Sequence, residues 1–174
     1  MSQILASGRA KLARAKFHRD TLRREIAAFL DSKPYPVRCE VDEERSQYRF
    51  RVSIDKLPPE AEWGLIIGDC VHAARSALDH SIWGLAEISG SDWSDETTQF
   101  VVADDEEKFR RARFRIQRLP ERLQTIVEDE QPYRSHPRPT LDPLCWLRDL
   151  DNRDKHKVIS VTTCTNFSPS AADT

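Results

Sequence analysis

The chain has few glycines and almost no methionine, 5 and 1 in 174 residues, and it contains no long apolar run. With 39% hydrophobic and 32% charged residues, it is neither collagen-like nor a low-complexity or disordered polymer, and helix is the default expectation. Nothing approaches the roughly 18 consecutive apolar residues of a membrane-spanning helix, and Met1 to Arg9 lacks the apolar core of a signal peptide. A cytoplasmic protein without a membrane partner is expected. The four cysteines, Cys39, Cys70, Cys145 and Cys164, stand alone with no C-x-x-C pair. That argues against a zinc ribbon or a dithiol redox motif and for reduced, mostly buried thiols. P-loop and dinucleotide fingerprints are missing, no serine sits in a glycine elbow, and no H-x-x-x-H or H-E-x-x-H pattern occurs. No cofactor is expected. Asp69 with His72, at a usable i, i+3 spacing, and Asp79 with His80 and His156 come nearest to metal-ligand sets, but without either histidine pattern no metal is expected.

Charge of one sign is also lacking overall, since the net is -2, yet the cations are clustered. Arg9, Lys11, Arg14, Lys16, Arg19, Arg23 and Arg24 crowd one segment, and Lys108, Arg110, Arg111, Arg113, Arg115, Arg118 and Arg122 crowd another. Each fits a solvated helix face or a nucleic-acid path.

Periodicity predicts a mainly α, α+β fold: a helical domain around one long central helix with a small antiparallel hairpin. Residues 3 to 31 carry an apolar helical stripe that ends at Lys33-Pro34. The period then changes to two. Val37, Cys39 and Val41, then Tyr48, Phe50, Val52 and Ile54, predict a hairpin over 37–54 with one buried face. Pro58-Pro59 opens a helix reaching about Ser89-Gly90, followed by an extended segment Gln99 to Val102 and helices near 104–115 and 119–129. Pro132, Pro137 and Pro139 predict an extended surface loop over 131–141, and Asp142-Pro143 an N-cap opening a helix to about His156. One domain over 1–167 with a disordered tail at 168–174 is expected. Val158 to Thr163 is β-prone and suited to join the hairpin, and an unpaired strand so near the end suggests a piece of a longer chain.

At about 100° per residue, the central helix puts Trp63, Ile67, Cys70, Val71, Ala74, Ala77, Leu78, Ser81, Ile82, Leu85 and Ile88 on one broad apolar face, expected to be core. Asp69, His72, Arg75, Ser76, Asp79 and His80 gather on the other side, with Leu65 and Trp83 extending the line. An ordinary solvated face carries Lys and Glu, whereas this one has no Lys and is flanked by large apolar residues, which predicts partial burial. Gly64, Gly68 and Gly84 suggest close approach of another backbone. The stripe fits a functional surface or a hydrogen-bonded structural network.

Arg75 and His80 spell R-x-x-x-x-H, a spacing that chance produces in about half of sequences of this make-up, so its helical setting carries more weight than its spelling. A step of five places the two about 140° apart, flanking one groove unless a second copy of the helix completes the site. Here the chain resembles the HEPN superfamily, helical domains with an Arg followed four to six residues later by His on a core helix. The stretch Gly68-Asp69-Cys70-Val71-His72-Ala73-Ala74-Arg75-Ser76-Ala77-Leu78-Asp79-His80, with Asn152-Arg153-Asp154-Lys155-His156, also looks like a set of uncharacterised bacterial proteins. The resemblance covers roughly residues 60–160.

It implies a homodimer in which Arg75 and His80 meet across the interface as a metal-independent endoribonuclease, with RNA as partner and a bacterial defence or toxin role. His80 would be the acid or base toward a ribose 2′-hydroxyl, Arg75 would stabilise phosphate charge, and Asp79 and His72 would orient the pair. Ser76 departs from the Asn, Asp or His found after the Arg in active members. On the last predicted helix, Cys145, Asp149, Asn152 and His156 share a face, so Asp149, Asn152 and His156 are expected to point into one cleft. Asp69, Ser76, Asn152, Lys155 and His156 are the candidate substrate contacts. The alternative is a non-catalytic helical module that binds a nucleotide or a protein, which the low net charge and Ser76 favour.

Overall fold

A computed structural model describes residues 4–41, 47–90 and 97–155. The first helix forms where its periodicity placed it: α1 is Ile4–Asp31, and the chain leaves it through Lys33, whose φ of 50° is left-handed, just before Pro34. Strands β1 (Val37–Val41) and β2 (Tyr48–Val52) then pair antiparallel, with Val37 opposite Val52, Cys39 opposite Phe50 and Val41 opposite Tyr48. These six side chains share one face, because cross-strand partners point the same way. The predicted burial of that face is not found: Phe50 is 57% exposed and Val52 62%. Alternation reports which side chains share a face, and only a second layer can cover it. The described helices pack on one another instead.

Helix α2 is one unbroken element, Glu60–Ile88, with Glu60 and Glu62 in its positive first turn. It runs antiparallel to α1. Phe29 meets Trp63 edge-on with ring centroids 5.4 Å apart, the Cys70 thiol donates to Ala15 O at 3.3 Å, and Ser7 lies against His80. Gly8 permits the close crossing, since a Cβ there would come within 2.9 Å of Ser81 Oγ and 3.3 Å of the Ala77 carbonyl. On the opposite side of α2, Gly68 makes room for α6 (Pro143–Asp154), where a Cβ would run into the Asp154 carboxylate.

Helix α2 is therefore clasped on two opposite sides, and the expected core face is only partly the buried one. The buried positions are Trp63, Gly64, Gly68, Ala73, Ala77, Ile82, Gly84 and Ala86. Ile67, Val71, Ala74, Leu78 and Leu85 are half-buried, and Ile88 is exposed. Size explains the correction: small residues let neighbouring backbones approach, so the tightest contacts fall on the Gly/Ala lines rather than on the most apolar line.

Helix α3 (Glu106–Ala112), a 3-10 turn at Arg113–Arg115 and α4 (Glu121–Asp129) follow, somewhat shorter than their predicted spans. Asp105 caps α3 by accepting Lys108 N–H at 2.7 Å, and Asp142 caps α6 by accepting Leu144 N–H at 2.7 Å. The expected extended loop over 131–141 is instead a short helix, α5 (Pro132–Ser135), and a 3-10 turn at Pro139–Leu141. Pro132 and Pro139 stand at first helical positions, where their fixed φ helps, and Gln131 and Pro132 are fully buried. The main hydrophobic cluster joins Ile82 and Ala86 of α2 to Val101, Ala103, Phe109, Ile116, Leu119 and Val127. No described helix is long and apolar enough to cross a membrane. His156, the β-prone stretch 158–163 and the tail 168–174 lie outside the described residues.

Candidate functional site

The central helix faces a segment without regular secondary structure, residues 98–103, that pairs with no strand among the described residues. Buried peptide groups must still find partners, and here other parts of the chain supply them. Asp79 Oδ1 accepts Phe100 N–H at 2.9 Å, while Arg75 Nη2 donates to the Phe100 carbonyl at 2.7 Å. The two side chains are themselves paired at 3.0 Å, one turn apart on α2. Gln131, entirely buried, accepts Ala103 N–H at 2.8 Å and donates to the carbonyls of Val101 and Val127 at 2.9 and 2.8 Å. The Arg115 carbonyl accepts Gln99 N–H at 3.4 Å, and Arg148 Nη1 donates to the Val102 carbonyl at 3.4 Å. Several polar residues with catalytic potential thus fasten a segment that has no sheet to join.

Between α2, this segment, α3 and α6 lies a cavity of about 480 Å³. His72, Arg75, Ser76 and Asp79 form its α2 wall, Arg148, Asp151, Asn152 and Lys155 its α6 wall, and Lys108 and Arg115 reach it from α3 and the turn that follows. Asp151, 3% exposed, accepts from Lys155 Nζ at 2.7 Å and lies 3.2 Å from His72 Nδ1, tying α2 to α6. Arg115 donates to a neutral partner, Gln99 Oε1, at 2.6 Å, so that bond leaves its charge uncompensated. Arg75 Nη1 is buried with no hydrogen-bond partner among the described residues. Burial pushes the Asp79 carboxyl above the ordinary carboxylate range despite the opposing pull of Arg75. The hydrogen bond from Lys108 holds Asp104, which pairs with Lys108 and Arg148, below it.

A second cavity, about 450 Å³, adjoins the first and is lined by Ser7, His80, Trp83, Gly84, Glu87 and Thr98. Ser76, Asp79 and Gln99 line both. His80 Nδ1 and Ser7 Oγ are 2.5 Å apart, an interhelical bond that leaves Nε2 for another partner. Trp83 is 37% exposed.

Arg75 and His80 therefore line different, adjoining cavities on either side of Ser76 and Asp79, where their separation of about 140° had suggested that they flank one groove. His72 lines the first, with Asn152 and Lys155, while Asp69 is exposed and lines neither. The α6 face differs from the expected one. Its cavity wall is Arg148, Asp151, Asn152 and Lys155, and Asp149 is exposed and paired with Arg148 at 2.8 Å. The spacing i, i+3, i+4, i+7 was present in the sequence for this set too, and nothing short of the docking angle chooses between two faces about 100° apart. Arg148, Asp151, Gln99 and Gln131 escaped sequence reasoning because each acts through contacts distant along the chain. Among the described residues, no three His, Cys, Asp or Glu side chains converge as metal ligands. Comparisons with protein-family models, curated proteins and solved structures gave no match.

Proposed function

We propose that this chain is a helical module that binds a phosphate-bearing ligand, a nucleotide or an RNA segment, in the cavity between α2 and α6. One observation carries the reading: Arg75, Lys108, Arg115, Arg148 and Lys155 converge there from four parts of the chain, and although Arg75, Lys108, Arg148 and Lys155 also pair with Asp79, Asp104, Asp149 and Asp151, Arg115 is held by the neutral Gln99 amide. Convergent cations in a recess recognise phosphate through charge-assisted hydrogen bonds, and guanidinium groups add bidentate geometry. Net charge near zero fits a local site better than a field along a nucleic-acid groove. Titration calorimetry with inorganic phosphate and with 5′-nucleotides tests it. Arg115→Ala and Lys155→Ala, shown to be folded, are each expected to weaken binding about tenfold, as for losing one charged hydrogen bond. Binding that neither substitution changes would reject this cavity as the site.

Metal-independent RNA cleavage is the second reading, and the shared wall favours it. A ribose-phosphate strand crossing Ser76 and Asp79 would have Arg75 on one flank and His80 on the other, in one chain or, as in the HEPN resemblance, with a second copy. Against it, Arg75 is 14% exposed and already committed to Asp79 and Phe100. Cleavage in EDTA that leaves a 2′,3′-cyclic phosphate is the expected outcome of this reading. Folded His80→Ala should then lose about 10² or more in rate, the usual scale for an acid or base group. Wild-type protein that leaves single-stranded RNA intact would retire it.

A further inference from the structure

We infer that the cavity against Trp83 takes the base of the same ligand and that the base is guanine, an inference that rests on the phosphate reading of the adjoining cleft. The two cavities share Ser76, Asp79 and Gln99, so a ligand with its phosphate among the cations continues naturally into the second. A volume of about 450 Å³ accommodates a purine with its sugar. The character of the lining changes there. Lys108, Arg115, Arg148 and Lys155 line the first cavity and not the second, whereas Trp83, Glu87 and Thr98 line the second and not the first.

An indole at the edge of a recess is a stacking surface for any base. The Glu87 carboxylate selects among bases. Glu87 is exposed and lines this cavity, whereas Asp79 is engaged by Phe100 N–H and Arg75. An ionised carboxylate only accepts, and its two oxygens suit two adjacent donors. Guanine presents such a pair, N1–H beside the N2 amino group. Adenine, cytosine and uracil each set an acceptor beside their donor on the pairing edge, and a carboxylate repels it. His80 is at the same wall with Nδ1 held against Ser7 Oγ, so its Nε2 is the remaining polar atom of that ring.

The test is competitive binding to the full chain by calorimetry, with inorganic phosphate, GMP, AMP and UMP as probes, and with single-stranded tetranucleotides that contain or lack guanine. GMP is expected to bind at least tenfold tighter than phosphate, AMP or UMP. Trp83→Leu should weaken GMP about tenfold and leave phosphate unchanged, with Trp83→Phe restoring much of the loss, because stacking a base is worth about a factor of ten or more. Glu87→Gln should erase most of the preference for GMP over AMP. A guanine-containing tetranucleotide that outcompetes GMP assigns the base to RNA, and the reverse order assigns it to a free nucleotide; either supports the base cavity. Phosphate binding without any advantage for GMP, or GMP binding indifferent to Trp83→Leu, overturns this inference and leaves the phosphate site standing. Failure of phosphate and all nucleotides to bind overturns both.

Discussion

Gln131→Ala is expected to destabilise the protein by about 3–5 kcal/mol, more than truncating a typical half-buried apolar residue, by stranding three buried backbone groups and opening a void. The side chain is fully buried and serves Ala103 N–H, Val101 O and Val127 O at once. Removing a partner from a buried group costs its full desolvation, so the loss exceeds the net worth of the three bonds. Gln131→Glu is the informative companion. It keeps the volume and the acceptor for Ala103 but cannot donate to the two carbonyls, and a buried carboxylate facing carbonyls is driven to take up a proton. Urea unfolding at neutral and at mildly acidic pH separates the two: Gln131→Ala should be equally unstable at both, whereas Gln131→Glu should recover as pH falls. A loss below about 1 kcal/mol for Gln131→Ala would mean that segment 98–103 is anchored by its apolar contacts and not by this side chain.

Asp79→Ala is expected to cost about 2–4 kcal/mol, because it leaves the Phe100 N–H unbonded and the largely buried Arg75 guanidinium without its counter-charge. Asp79→Asn retains a carbonyl oxygen for Phe100 and should lose less than half as much. The pH dependence has a definite sign. The folded carboxyl lies above its ordinary value through burial, so at pH between the two values the native state holds a proton that the unfolded chain has released. Asp79 therefore contributes most stability below the ordinary carboxylate value, and that contribution fades as pH rises through the raised one. Asp104, held low by Lys108, works in the opposite sense: its stabilisation is present above the ordinary value and is lost as pH falls through the depressed one. Subtracting the wild-type pH–stability curve from that of Asp79→Asn isolates the first effect. A difference independent of pH across the acid range would show that Asp79 keeps its ordinary affinity for protons when folded.

The second prediction concerns a residue that a reading for catalysis and a reading for stability claim alike. Arg75 and Asp79 stand on α2 in the pattern that points to phosphate chemistry, and in the fold they hold both polar groups of the Phe100 peptide. A loss of activity in Arg75→Ala would carry two meanings, so His80 is the cleaner probe: its hydrogen bond is to Ser7 of α1, outside segment 98–103.

The sequence by itself determined the longer helices, the Asp142 cap and the polar stripe, because these depend on residues a few positions apart. The period of α1, the Pro58-Pro59 start of α2 and the Asp142 cap of α6 are local properties, and they appear where expected. The glycines near 64–84 signalled close packing for the same reason. Tertiary structure alone decided what each face meets. Equally apolar lines on α2 became a tight interface or a half-open flank according to side-chain size, and the hairpin kept its register but gained no cover. The α6 wall turned by one residue from the expected line, and a glutamine inside a proline-rich stretch became the anchor of a segment nearly thirty positions away. A pattern repeating every three or four residues fixes an element's faces, whereas the choice among those faces is made by contacts between distant parts of the chain, whose energies depend on volume and docking angle.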